Sequence, residues 1–143
     1  RGLTGVRLDA EGRLTAVLAW CPGKVPDGFT LHTDAGKPEL EINFRAPKLS
    51  GTYAEVGLSE PPPGWTASVR LPDLDPQRKY RLYGWTTDNS SSTRGVTFTL
   101  AELRAQQDSI LMQGEYDKKS DSWPNVHLSA DEFRAAVDRI VAC

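Results

Sequence analysis

Up to Leu100 the chain consists of short segments in which apolar and polar residues alternate. Proline or glycine cuts each one off within a few residues, and no long helical period lies between them. Such punctuation leaves no room for parallel crossovers, which need connections of about a dozen residues or more. Backbone hydrogen bonds must go to antiparallel neighbours, and the apolar side of each strand must be covered by a second layer. The pattern therefore predicts a mainly β protein, an antiparallel two-sheet sandwich.

The segments are readable one by one. Leu3 to Trp20 reads as two strands around the turn Asp9-Ala10-Glu11-Gly12, with Leu14, Ala16, Leu18 and Trp20 on one core-facing side. "FTLHT" is a short strand, followed by a turn from Asp34 to Pro38. "ELEINF" sets Leu40, Ile42 and Phe44 against Glu39, Glu41 and Asn43, so one side of it is wet. "TYAEVGL" is another strand, and "SEPPPG" is a loop or an edge because three successive residues lack a donor N–H. "WTASVRL" alternates with Ala67, Val69 and Leu71 aligned, and it leads into "RKYRLYGW" and "RGVTFTL".

Beyond Leu100 the text changes. Thr99 and Glu102 form a capping-box pattern that starts a short helix, "SILMQ" suits one further strand, and "GEYDKKSDSWPN" is a polar, mobile loop. Ser129 and Glu132 form a second capping box, flanked by Leu128 and Phe133 at the two positions of a hydrophobic staple. A helix starts there, with Phe133, Ala136, Val137, Ile140 and Val141 in one stripe and Asp131, Arg134, Asp138 and Arg139 opposite. The expected organisation is a sandwich over residues 1–100 and an extension over residues 101–143 packed on the same domain.

The 143 residues suffice for one core, and 38% hydrophobic with 25% charged residues is the balance of a soluble globular protein. No apolar run has the length of a membrane span. A net charge of -2 with 17 scattered basic residues argues against nucleic acid, which needs a concentrated basic face. Cys21 ends an early strand and Cys143 is the last residue. Either they are two unrelated thiols, one buried and one on a frayed terminus, or they form a disulfide that closes nearly the whole chain. The second is preferred, would contribute about 5 kcal/mol by chain entropy, and implies an oxidising compartment. With no initiator methionine at Arg1, an upstream leader or membrane-proximal segment is expected.

"RLTAVLAWCPG" resembles the second strand of fibronectin type III domains, which ends in a core tryptophan followed closely by proline; Trp20 and Pro22 match. "LDPQRKY" resembles that family's most diagnostic segment, with Leu74, Pro76 and Tyr80 in its leucine, proline and tyrosine positions. The resemblance covers about residues 3 to 100. It implies an immunoglobulin-like sandwich in which Tyr80 forms a tyrosine corner, its ring in the core and its hydroxyl bonded to upstream backbone. The arginine-over-lysine bias and a decorated single domain without its leader resemble the ectodomain of a secreted or lipid-anchored surface protein from a high-GC Gram-positive bacterium. Two features depart from the family: it normally lacks disulfides and ends near Leu100. The loop "DNSSSTRG" also lacks the arginine-glycine-aspartate order with which some members bind receptors.

Catalytic chemistry has little to stand on. The two histidines, His32 and His127, invite a hydrolase built on His127 with Ser129, or on His32 with a nearby carboxylate. Ser129 is already explained as a helix cap. Metal-ligand spacing, calcium-loop spacing and phosphate-loop glycines are all missing from the text, so neither a metal nor a cofactor is expected. Aromatic residues carry the sharper reading. Parity turns Tyr80, Leu82 and Gly84 inward and Tyr83 and Trp85 to the opposite face. The preferred expectation is that the terminal helix covers those two rings, with Cys143 tied back to Cys21. In the alternative, Tyr83 and Trp85, with Trp65 or Trp123, form an open platform for a protein or polysaccharide partner.

Overall fold

The structure is a computed structural model that describes residues 1–35 and 38–143. The turn expected from Asp34 to Pro38 contains Gly36 and Lys37 and so lies in part outside the described residues. Two sheets face each other in a β-sandwich. The first is built on β1 (Gly2–Leu8) and β2 (Leu14–Trp20), paired antiparallel over their whole length. Between them Asp9 accepts from the backbone N–H of Glu11 and Arg13, and Gly12 takes a left-handed φ of 78°. β5 (Tyr53–Gly57) pairs with β2 on one side, while β10 (Ile110–Gln113) and β11 (Asn125–Leu128) extend the sheet beyond β1 on the other. The second sheet runs β6 (Thr66–Ala67), β4 (Glu41–Arg45), β3 (Gly28–Thr33), β7 (Tyr80–Trp85), β9 (Val96–Phe98). All pairings are antiparallel except that of the short β8 (Thr93–Arg94) with β1. Thr93 stitches the two layers together: its hydroxyl bonds Thr4 on the first sheet and takes the Gly84 N–H of the second at 2.7 Å.

The inward faces follow the predicted parity. Leu14, Ala16, Leu18 and Trp20 meet Phe29, Leu31, Ile42, Phe44, Leu82 and Phe98, all buried in one cluster. Tyr80 is 4% exposed, and its hydroxyl accepts the Asp75 N–H at 3.1 Å. Its ring lies 6.2 Å from that of Phe98, Leu74 packs on the rim of the same cluster, and the Pro76 carbonyl accepts from Ala101.

"WTASVRL" does not form a strand over its alternating length. Only Thr66–Ala67 pairs, at the outer edge of the second sheet, and Val69 is 50% exposed. The Ser68 N–H still reaches the Asn43 carbonyl, but its hydroxyl takes the Asn43 N–H in place of a backbone acceptor, and among the described residues no strand lies beyond this edge. Conversely, β11 forms where only a polar loop and the start of a helix are legible. Its Val126 and Leu128 are partly buried, and the register Ile110↔Leu128 supplies the partner that the local text does not.

After Leu100 the short helix α1 (Leu100–Ala105) and the final helix α2 (Ala130–Ala136) both start on complete capping boxes, Thr99 with Glu102 and Ser129 with Glu132. A π-helical turn over Val137–Val141 carries α2 to Cys143, which is bonded to Cys21 with a Cα–Cα separation of 5.5 Å.

The expectation that this helix covers Tyr83 and Trp85 is overturned. It lies on the outer face of the first sheet, where Phe133, Ala136 and Val137 pack with Leu3, Val17, Ala19, Ile110 and Met112 in a second core. The reason is in β2, every residue of which is buried: Val17 and Ala19 are as apolar as the sandwich-facing set and offer no polar atom to water. Gly5 makes the close approach feasible, since a Cβ there would meet Ile110 at 2.4 Å and Phe133 at 2.9 Å. At the far side of the helix the Arg134 guanidinium sits 3.9 Å from the centre of the Tyr53 ring, and the Tyr53 hydroxyl donates to Glu55, which also pairs with Arg7. Burial first, and then Glu55, push the Tyr53 phenol above its ordinary pKa.

Tyr80→Phe keeps the ring but strands the Asp75 N–H. Denaturant unfolding is expected to show a loss of about 1–3 kcal/mol with an unchanged denaturant slope.

Candidate functional site

With the helix on the other sheet, no further layer among the described residues covers the outer face of β4, β3 and β7. Strand register lays its side chains out in rows. Arg45, Gly28 and Trp85 are side by side; Asn43, Thr30 and Tyr83 form the next row; Glu41, His32 and Arg81 form the third. β6 adds Thr66 beside Arg45. Glycine at the centre of the first row decides the shape: a Cβ on Gly28 would lie 2.6 Å from the Trp85 ring, so the indole occupies the place of a side chain.

The Trp85 Nε1–H donates to Thr30 Oγ1 at 2.9 Å, and the Thr30 hydroxyl donates to Asn43 Oδ1 at 2.6 Å. Thr30 is 1% exposed, so this relay is fixed from below while Trp85 and Tyr83 remain half-buried. His32 supports the neighbouring ring: its Nδ1 bonds the Thr33 carbonyl at 2.8 Å, and its imidazole meets Tyr83 edge-on at 5.9 Å between centroids. The result is a groove of about 670 Å³ whose lining includes Thr30, Asn43, Arg45, Tyr83, Trp85 and Asn89. A second depression of about 380 Å³ shares Tyr83, Trp85 and Asn89 and continues towards Arg1, Ser90, Ser91 and Ser92. The aromatic pair thus stands in the middle of a trough, not at its end.

The loop that carries Asn89 is held by its own polar groups. The Thr86 hydroxyl and the Ser91 backbone bond each other in both directions, and Asp27 accepts from the N–H and hydroxyl of Thr87. Asp88 accepts from the Ser90 N–H, and hydrogen bonds from Ser90 and Thr86 hold its carboxyl down to about 2. Asn89 itself takes a left-handed φ of 58°, a conformation asparagine tolerates better than most residues. Among the described residues Arg45 is the sole charged side chain in the lining of the larger depression. Its guanidinium lies 5.5 Å from the centre of the Trp85 ring and makes no ion pair among the described residues.

The other candidates lie elsewhere. Trp65 tilts against Phe29 at 5.5 Å and closes the rim of the main core. Trp123 is 50% exposed in the β10–β11 connection just before β11, 5.5 Å from Tyr116 and 5.2 Å from the Arg94 guanidinium. Tyr83 and Trp85 are therefore together, and Trp65 and Trp123 are not with them. The pair of His127 with Ser129 does not form. Ser129 Oγ is engaged by the Glu132 N–H, and His127 Nδ1 instead meets Ser109 Oγ at 3.0 Å. That hydroxyl also meets the Gln106 carbonyl at 3.0 Å, which ties Ser109 to the turn after α1. His32 makes no bond to the carboxylate of its cross-strand neighbour Glu41 and spends Nδ1 on the backbone. Among the described residues no group of histidine, cysteine, aspartate and glutamate is placed to hold a metal.

Sequence reasoning missed Thr30, Asn43 and Arg45. Parity placed Asn43 on the wet side of its strand, but knowing that this side adjoins Tyr83 and Trp85 requires the order β4-β3-β7. No family model, curated protein or solved structure matches the chain.

Thr30→Val removes the shared hydroxyl while keeping the strand former. It is expected to cost about 1–2 kcal/mol in equilibrium unfolding and to shift the Trp85 indole N–H resonance, which loses its acceptor.

Proposed function

We propose that this chain is a non-catalytic, exported binding module of fibronectin type III-like architecture, and that it takes a polysaccharide along the trough on its second sheet. The architecture is supported by the neighbour orders β1-β2-β5 and β4-β3-β7-β9 together with the Tyr80 hydroxyl bonded to upstream backbone. Export is supported by the Cys21–Cys143 disulfide, which persists in oxidising compartments.

The observation that carries the ligand class is the lining itself. Two aromatic rings stand among hydroxyls and amides on a sheet face left open by the terminal helix. Sugar rings present patches of C–H that pack on aromatic faces, and a rim of hydroxyls that needs partners of the Thr, Ser and Asn kind. The Asn43 amide nitrogen has no protein partner among the described residues and so offers a donor to the trough. An apolar peptide would find too few greasy contacts here, and a folded protein would need a flatter surface than a trough interrupted by a loop. Because the indole is fastened by Thr30 and Gly28 before any ligand arrives, little side-chain entropy is lost on binding.

Titration against a panel of soluble polysaccharides tests the reading. Trp85→Ala and Tyr83→Ala are each expected to weaken binding about tenfold or more, equivalent to about 1.4 kcal/mol, with a fold that still unfolds cooperatively. Binding that survives both substitutions, or no binding to any polysaccharide in the panel, overturns it.

A further inference from the structure

We propose that the trough selects polysaccharides that carry an anionic group on the sugar, a carboxylate or a sulfate, and that Arg45 is the residue that reads this charge. This rests on the polysaccharide reading above and adds to it a ligand class and a specificity residue.

The inference starts from charge. Among the described residues Arg45 is the one charged side chain lining the main depression, and no carboxylate among them lies there to neutralise it. Glu41 is on the same face of β4 but belongs to the row of His32 and Arg81, two strand positions away and outside the lining. The third row therefore holds both signs, whereas the row of Arg45 and Trp85 holds one.

Geometry adds a second reason. With its guanidinium 5.5 Å from the indole centre, Arg45 is biased towards one place beside the aromatic surface by the attraction between cation and ring. A planar fork held there suits two parallel hydrogen bonds to a carboxylate or sulfate, which a mobile lysine would not arrange as well. A sugar packed on Trp85 would thus place its own acidic substituent, or that of the next residue along the chain, within reach of Arg45. The trough continues past Tyr83 and Trp85 towards Arg1, Ser90, Ser91 and Ser92, so it admits an internal stretch of a linear polymer, with Arg1 a second cation along its path but away from the Trp85 face that Arg45 flanks.

The test compares polygalacturonate and alginate, dextran sulfate, and neutral dextran and pullulan, titrated by calorimetry at low and high salt. Acidic chains are expected to bind about tenfold or more tightly than neutral ones, and the margin to shrink at about 1 M NaCl as charge is screened. Tighter binding of the uronates than of dextran sulfate identifies the carboxylate as the group read, and the reverse order identifies sulfate. Arg45→Gln is expected to remove the acidic preference while leaving weak neutral binding, and Arg45→Lys to restore part of it. Equal affinity for acidic and neutral chains, with Trp85→Ala still abolishing binding, overturns the charge selection and leaves the polysaccharide reading standing. Loss of all binding in Arg45→Gln alike for neutral and acidic chains also overturns it, because the arginine would then be shaping the trough rather than reading charge. Binding that Trp85→Ala does not alter sinks both.

Discussion

A strand with no wet side organises this molecule. Every residue of β2 is buried, and a two-sheet sandwich can cover only one of its faces. Trp20, Leu18, Ala16 and Leu14 go to the other sheet, leaving Val17 and Ala19, with Leu3 of β1 and the Ile110 and Met112 of β10, in need of a separate cover. Burying a large apolar side chain is worth about 1.5–3 kcal/mol, so several such residues together outweigh two amphipathic rings elsewhere. The amphipathic terminal helix is the element available, and Cys21 at the end of the same strand anchors its far end.

The placement of the helix has a consequence on the opposite side of the molecule. Tyr83 and Trp85 keep their outward direction but receive no lid, and they are accommodated by amphipathic means: the indole N–H finds Thr30, its ring lies over Gly28, and Tyr83 meets His32. Aromatic residues tolerate this position because each joins an apolar body to a polar tip. A surface of that kind is stable without a partner and still presents contact area to one, which is the physical basis for proposing that the trough binds.

Period-two alternation made the strand faces legible, and the leucine, proline and tyrosine spacing located Tyr80, because both signals depend on residues close in sequence. Helix starts at Thr99 and Ser129 were equally legible, since a capping box is complete within four residues. What failed was long-range choice. Val69 alternates as well as Leu82 does, yet it lies where the sheet runs out of neighbours; Val126 carries no strand signal of its own and Leu128 reads only as a staple to the helix, and both become strand residues through pairing with β10. Likewise an apolar helix stripe states that a cover is needed, and not which sheet it covers. The decisive clue was present in the uninterrupted apolar text of "AVLAW", whose second face asks for the helix. Thr30, Asn43 and Arg45 stayed invisible as a group because they come together only across the register of three strands.

Contacts of the Phe133 ring decide most directly between the two placements of the terminal helix. In a nuclear Overhauser experiment on the oxidised protein, its protons should show cross-peaks to the Ile110 methyl groups and the Gly5 α-protons, and none to the indole of Trp85. Cross-peaks from Phe133 to Trp85 or Tyr83 would put the helix across the second sheet, close the trough, and contradict the structure described above.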